Sequence, residues 1–507
     1  MTSAPLALPW HWTLAVAVFG VAQLLLLGYS AHRLMTLWRW SRRTRRNTLA
    51  SGTTGVLPTV TVQLPIFNER EVAERLIDAA AHLDYPSSLL QIQVLDDSTD
   101  DTTDRARRRT HDWTARGVDI ELLHRKDRAG FKAGALAAGL KRATGEIIVV
   151  FDADFVPALD YLQRILPAFE DHRVGMVQAR WGHLNRNRSA LTIGQAVMLD
   201  AHFLLEHEAR MAAGLFFNFN GTAGAWRRRC IEEAGGWAHD TLTEDLDLSY
   251  RAQLAGWRFV SAADVEVPGE LPSDVLALKS QQRRWAKGSI QTARKILPAL
   301  LRGRLPLRVK LEATMHLTAN AAYPLLLVSG LLLPAVIAVP STFSPSIARL
   351  IDIAAILSGV VPVAAFLLAG QYAAGGARRR WLTDLASALV VGAGLTVNNS
   401  LAVFGGLGRA VGDWERTPKS GEVGDAPGQS AYFSRPDSTT LSEIVLSVTF
   451  ALMAVLAWRS GHPRSTPFLI LLAGGLGYIG ALSVAASRGR APNVTGAPLA
   501  HPPMEQA

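Results

Sequence analysis

One stretch constrains this chain more than any other: residues 145–157, GEIIVVFDADFVP. Its five-residue apolar run, mostly β-branched, has the composition of a strand buried on both faces. The run stops at Asp152-Ala153-Asp154. Two carboxylates one residue apart at the carboxyl end of a buried strand lie where open α/β sheets place their ligands. Burying such a pair without partners is costly, so it should meet a cation or open onto a cleft. Capping of the next helix by a strand-end Asp explains the same residues equally well, and the rest of the chain must decide.

Short β-type runs alternate with amphipathic stretches from Thr59 to about Pro272. VTVQLPIF precedes a helical pattern over 69–83, IQVLDD precedes another, and VDIELLH leads to the opening strand. That βαβ rhythm predicts a mostly parallel sheet covered by helices. About two hundred residues suffice for a sizeable core.

Apolar residues make up 49% of the 507, while the 19% that are charged concentrate in this block. The pattern predicts a soluble-type domain joined to membrane segments. Cys230 is the single cysteine, which excludes an intrachain disulfide framework and any multi-cysteine metal site. The net charge of +9 lies mainly beside apolar segments. A charged membrane face accounts for it, and no nucleic-acid partner is expected.

Residues 12–31 carry no charge over a bilayer's length and precede Arg39, Arg42, Arg43, Arg45 and Arg46. Without basic residues ahead of the apolar core, this reads as a retained anchor whose basic end is cytoplasmic. Residues 275–310 hold ten Lys or Arg and no acid, with apolar residues at helical spacing. This is the pattern of a helix in the membrane interface. Further spans are expected in 313–348, 353–377, 441–458 and 465–487. Segment 385–408 contains Asn398-Asn399-Ser400 and several glycines. Treating it as re-entrant or interfacial keeps Arg378–Arg380, Arg409, Lys419, Arg488 and Arg490 on one side.

The expected organisation is an anchor (1–38), an α/β domain (39–272) and basic interfacial helices (273–311). Two spans (312–377), an interfacial segment with a loop (382–440), two more spans (441–487) and a disordered tail (488–507) follow. The expected location is the cell membrane, multi-pass, with the α/β domain in the cytoplasm.

Several motifs can carry chemistry. Asp96-Asp97 ends the second strand, where a carboxylate can accept bonds from a base or ribose; Ser98, Thr99 and Asp100 equally suit helix capping. Residues 125–134, RKDRAGFKAG, interleave cations with glycine, which suits a loop approaching a diphosphate. The spacing and Lys-Ser/Thr pair of a Walker loop are missing, which disfavours an ATPase. Asp152 and Asp154 can hold a divalent cation through hard oxygen ligands. Asn220, Gly221 and Thr222 follow aromatics before a helix and suit either a sugar platform or a tight turn. Thr243-Glu244-Asp245 puts acids at a helix start, where a general base and a favourable helix dipole are both adequate readings. Gln281, Arg284 and Trp285 put an amide, a guanidinium and an indole on one basic helix, suited to pyrophosphate and a sugar face.

The order DD, DAD, TED, QxxRW on a membrane-flanked α/β domain resembles the processive inverting glycosyltransferases of family 2. The likeness is greatest to the cellulose-synthase-like glucomannan synthases, through LPIFNE, VLDDSTD, GFKAGAL, FNGTAG, TEDLDL and QQxRW. The resemblance implies a GT-A-type α/β domain fused to a helical membrane region. It implies a nucleotide-sugar donor of UDP-glucose or GDP-mannose type, Mg²⁺ or Mn²⁺, and a polysaccharide acceptor, with a membrane lipid acceptor as the alternative. Asp96, Asp97, Lys132, Asp152 and Arg284 would bind the donor, and Asp152 and Asp154 the metal. Asp245 would be the base, with Thr243 and Glu244 beside it. Asn220, Gly221, Thr222, Gln281, Arg284 and Trp285 would line the acceptor path. Residues 414–419, WERTPK, stand where the family has a gating loop, although 416–419 depart from its usual pattern.

Overall fold

The computed structural model describes residues 10–43, 56–337, 359–408, 412, 417–421, 423–424, 438–460 and 462–488. Parts of the expected anchor and spans, Trp414 to Arg416 of the expected loop and the tail beyond Arg488 lie outside the described residues.

A helix, α1 (Trp10–Ser41), precedes the α/β domain. The domain runs β1 (Val60–Ile66), α2 (Ala73–Ala81), β2 (Leu90–Asp96), α3 (Thr102–Thr114), β3 (Ile120–His124), α4 (Phe131–Leu140), β4 (Ile147–Val150) and α5 (Tyr161–Ile165). It continues with β5 (Val174–His183), α6 (Ala190–Ala201), a π-helical turn (His202–His207), α7 (Glu208–Ala212), β6 (Gly224–Arg227), α8 (Arg228–Glu233), α9 (Glu244–Leu254) and β7 (Arg258–Gly269).

The seven strands form one sheet in the order β3-β2-β1-β4-β6-β5-β7. β6 runs antiparallel to both neighbours, and the other pairings are parallel. The mostly parallel expectation is met, with one antiparallel strand inserted. β4 lies between β1 and β6, with Val60 opposite Ile147 and Gly224 opposite Val150.

The opening strand is buried on both faces as its composition requires. Ile147, Val149 and Phe151 enter one core with Val62, Leu64, Leu76 and Ile77. Ile148 and Val150 enter a second with Leu136, Met176 and Trp226. α2 covers the first face through Ala73, Leu76, Ile77 and Ala80, a single stripe at helical spacing. Buried polar side chains on β1 to β3 satisfy one another. Thr61 Oγ1 donates to Gln91 Oε1 (2.8 Å), Gln63 Nε2 to Gln93 Oε1 (3.0 Å) and Gln93 Nε2 to Glu121 Oε1 (3.2 Å).

Beyond the sheet, α10 (Val275–Arg302) realises the basic amphipathic stretch, and α11 (Leu307–Leu317) and α12 (Ala322–Ile337) follow. Among the described residues, Trp10–Ser41, Thr440–Arg459 and Thr466–Arg488 are each long and apolar enough to cross a membrane. Leu307–Leu317 with Ala319–Leu333 bends by 53°, and Arg378–Gly394 with Thr396–Leu407 by 47°. The segment expected to be re-entrant is therefore broken close to its asparagines, the geometry of either a kinked span or a re-entrant pair.

α10 is tied to the apolar helices by a buried ion pair. Lys279 Nζ lies 2.7 Å and 2.9 Å from the two carboxylate oxygens of Glu443, and Thr439 Oγ1 donates to Glu443 at 2.8 Å. Neither charged residue is more than 1% exposed. Removing one partner of such a pair costs roughly 3–5 kcal/mol because the other charge stays buried. Lys279→Ala should therefore lower the detergent-solubilised melting temperature sharply. Lys279→Ala with Glu443→Leu should be milder, and equal losses for the single and double variants would refute the pairing.

Candidate active site

The carboxyl ends of β1, β2 and β4 open onto one cleft, closed on the far side by α9, α10 and the 417–421 segment. Glu69, Asp97, Asp152, Asp154, Glu244, Asp245 and Glu270 line it together with Arg128, Lys132, Arg284 and Lys419. Asn220, Gly221, Thr243, Gln281 and Trp285 also reach it. Residues as far apart in sequence as Glu69 and Lys419 thus converge where the strand ends leave polar groups uncovered.

Asp152 is set by its backbone, whose N–H donates to Thr222 Oγ1 (2.8 Å). Its carboxylate meets Lys132 Nζ, which also donates to Gly221 O (2.8 Å). Lys132 leaves α4 just after Gly130 and Phe131, both at positive φ, so the basic loop turns its lysine into the cleft. Burial works against the Lys132 charge, but Asp152, Glu244 and Asp245 outweigh it and hold its pKa above the usual lysine range. Asp154 is nearly inaccessible; Oδ2 accepts from Glu270 N–H (3.1 Å) and lies 2.8 Å from Lys419 Nζ. The segment carrying Lys419 is anchored in turn by Ser420 N–H (2.8 Å) and Gly421 N–H (3.0 Å), which donate to the Glu270 carboxylate.

Thr243-Glu244-Asp245 opens α9 and is wedged against α10. Leu242 N–H donates to Gln291 Oε1 (3.0 Å), and Thr243 Oγ1 lies 3.1 Å from Thr292 Oγ1. Gly288 permits this approach, since a Cβ there would stand 2.6 Å from the Thr243 methyl. Asp245 Oδ1 accepts from Leu246 N–H (2.8 Å), and Oδ2 faces Gly221, whose φ of +85° presents no side chain to it. Burial first, and neighbouring Glu244 second, push the Asp245 carboxyl up to about 7, against Lys132 and Arg284. Burial likewise lowers the Arg284 pKa, opposed by Glu244, Asp152 and Asp245. A carboxyl poised near neutrality beside two cations suits proton abstraction.

Trp285 faces Trp181 at 6.4 Å between ring centroids, and Trp181 packs on Phe155 (5.2 Å) and Phe203 (5.3 Å). This aromatic wall offers flat apolar faces beside polar groups, as sugar rings require.

Not every expected residue lines the cleft. Asp96 is fully buried and committed to Ser98 N–H, Thr103 Oγ1 and His124 Nδ1, so it shapes the strand end and does not reach the cleft. Asp97 reaches the cleft, with its carboxylate gripped by Arg125 (Nε to Oδ1, 2.7 Å). Thr222 is fully buried and acts through Asp152. Glu270 and Trp181 were not singled out by sequence, whereas Arg128 belongs to the basic glycine loop that was. The sequence signals were an acid just after the β-type run at 265–269 and an aromatic at the close of β5.

No three His, Cys, Asp or Glu side chains converge as a closed metal cage among the described residues. A cation bridging a diphosphate needs only one or two protein carboxylates, because phosphate oxygens and water complete its shell. Seven carboxylates against four cations in one cleft fit that arrangement, with the partly exposed Asp152 as the more accessible donor.

The mixed sheet with its cleft at the strand ends makes this domain one of GT-A glycosyltransferase type. Residues 58–288 match the family model described as "Glycosyltransferase like family 2". Over that span, just under half of the chain, it is similar to the family 2 glycosyltransferases. Over 252 residues it is 44% identical to "Glucomannan 4-beta-mannosyltransferase 2" of Arabidopsis thaliana, covering 49% of this chain and 47% of that protein. Over 272 residues it is 41% identical to "Glucomannan 4-beta-mannosyltransferase 1" of Oryza sativa subsp. japonica, covering 53% and 52%. The chain thus spans about half the length of the curated relatives it matches. A solved mannosyltransferase of Pyrobaculum calidifontis, in complex with GDP-Man and Mn²⁺, aligns at 26% identity over 78% of this chain and 98% of its own, with a TM-score of 0.49.

Proposed function

We propose that this protein is a membrane-embedded inverting glycosyltransferase that adds hexosyl units from a nucleoside-diphosphate sugar to a growing β-linked polysaccharide. The observation that carries the reading is the convergence of Asp245, raised to about 7, with Asp152, Lys132 and Arg284 in one cleft. The names of the relatives support a mannosyl donor and hence GDP-mannose as the first candidate.

In the proposed reaction, Asp245 takes the proton of an acceptor hydroxyl, whose oxygen bonds to the anomeric carbon. The bond from that carbon to the diphosphate oxygen breaks on the opposite face, and its electron pair leaves with the diphosphate. An α-linked donor thus gives a β-linkage. Lys132 and Arg284 stabilise the negative charge that develops there. Asp152, with Asp154, would hold Mg²⁺ or Mn²⁺, which supplies further neutralisation of the leaving group when bound. The Trp285 and Trp181 faces orient the sugar, and much of the rate enhancement comes from positioning. Three long apolar helices support multi-pass membrane residence with the catalytic domain on the cytoplasmic side, where nucleotide sugars are made.

Membranes containing the protein should convert labelled GDP-mannose or UDP-glucose into a high-mass product that an endo-β-glycanase releases. An organic-extractable product bearing one or two sugars would instead assign a lipid acceptor and overturn the polymerase reading.

A further inference from the structure

Asn220 stands beside Gly221, the residue that faces the Asp245 carboxylate, and both line the cleft. Its backbone N–H is committed to Gln178 Oε1 (2.9 Å), and its side-chain nitrogen lies 3.0 Å from His202 Nε2. Its side-chain oxygen is buried without a hydrogen-bond partner. An amide so placed lacks one bond that a ligand hydroxyl can supply.

His202 begins the π-helical turn His202–His207, a departure from α geometry that is frequent at functional sites. Its Nδ1 lies 2.9 Å from Glu206 Oε2. A carboxylate only accepts, so Nδ1 donates to Glu206, and the Asn220 side-chain nitrogen facing Nε2 makes Nε2 the acceptor of that contact. Asn220 must then turn its NH₂ to the histidine, which leaves Oδ1 for a ligand. Glu206 is itself kept ionised: burial opposes its charge, but the Arg210 and Arg33 guanidiniums and the hydrogen bond from His202 outweigh it and hold its pKa well below the usual range. Arg210 donates to Glu312 (3.1 Å), which also meets His32 of α1 (2.7 Å). Glu206 is thereby tied to the amino-terminal apolar helix through buried ion pairs.

We infer that His202 is a positioning residue that orients the Asn220 amide so that its oxygen receives a hydroxyl of the acceptor sugar next to the Asp245 base. His202 does not touch the acceptor; it selects which end of the amide the acceptor meets. The site therefore takes a polyhydroxylated acceptor able to donate one hydrogen bond beside the hydroxyl that reacts. This inference rests on the transferase reading.

The full chain in membranes is assayed with labelled GDP-mannose or UDP-glucose and a soluble β-linked oligosaccharide. Removing His202 lets the amide turn, so His202→Ala should raise the acceptor KM about tenfold, as loss of one hydrogen bond implies. Donor KM should stay within about twofold. Asn220→Ala should reproduce this split, and the double variant should be no worse than Asn220→Ala alone, because one residue acts through the other. His202→Gln, whose amide oxygen can accept the same bond, should recover part of the loss. An unchanged acceptor KM in His202→Ala, an equal rise in both KM values, or additive losses in the double variant would overturn the assignment. Absence of transfer by the wild-type protein would instead overturn the transferase reading on which it depends.

Discussion

Asp245→Asn is expected to lower sugar transfer about a thousandfold while donor binding stays close to wild type, the loss typical of removing a general base. The side chains are nearly isosteric, so α9 and its junction with α10 should persist. The wild-type pH profile gives an independent check. Transfer should fall about tenfold per unit as pH drops below about 7, where Asp245 takes up its proton. Residual transfer by the variant should lack that limb. Turnover near wild type would remove Asp245 from the base role.

The same group makes a stability prediction of definite sign. The folded carboxyl keeps its proton up to about 7, whereas the unfolded one releases it near 3.8. Between those values the native state binds more protons. The contribution of Asp245 to stability is therefore full in acid and is lost as pH rises through about 7. Asp245→Asn, neutral throughout, should melt above the wild type at about pH 8, and that gap should close towards about pH 4. A variant less stable than wild type at the higher pH would contradict the burial that raises this carboxyl.

Asp152→Ala carries the second large expected effect. The Asp152 carboxylate is partly exposed, unlike that of Asp154, and it pairs with Lys132 across the cleft. Its removal should weaken donor binding at least about tenfold and abolish the response of donor binding to added Mg²⁺ or Mn²⁺. Binding can be followed with the nucleoside diphosphate alone, without catalysis. Retention of a wild-type metal response would assign the cation to other carboxylates of the cleft. Asp154→Ala should differ, because it frees Lys419 from its pair. Faster proteolysis near residues 417–421 should accompany any loss of donor binding.

Much of the α/β domain was legible in sequence because its signals are local. The run at 147–151 is apolar at every position, and a strand with both faces covered is the simplest structure that buries it. The stripe of Ala73, Leu76, Ile77 and Ala80 marked a helix with one covered face. The antiparallel placement of β6 was not legible, since Gly224 to Arg227 carries no periodicity that states a direction. Asp96 and Asp97 read alike as neighbouring acids at a strand end. The pleat sends one toward His124 and the other into the cleft, and that depends on register.

Composition and motif order determined by themselves that the strand ending in Asp152-Ala153-Asp154 belongs to a mostly parallel α/β domain beside apolar helices. Those features depend on residue type and spacing along the chain. Only the tertiary structure decided which acids meet which cations. Asp154 lies against Lys419, 265 residues on, and Asp245 lies behind Gly221, whose missing side chain leaves room for it. It also placed His202, ordinary in sequence, between Glu206 and Asn220. Proton affinity and hydrogen-bond direction depend on burial and on partners brought together by the fold, and neither is encoded at the residue itself.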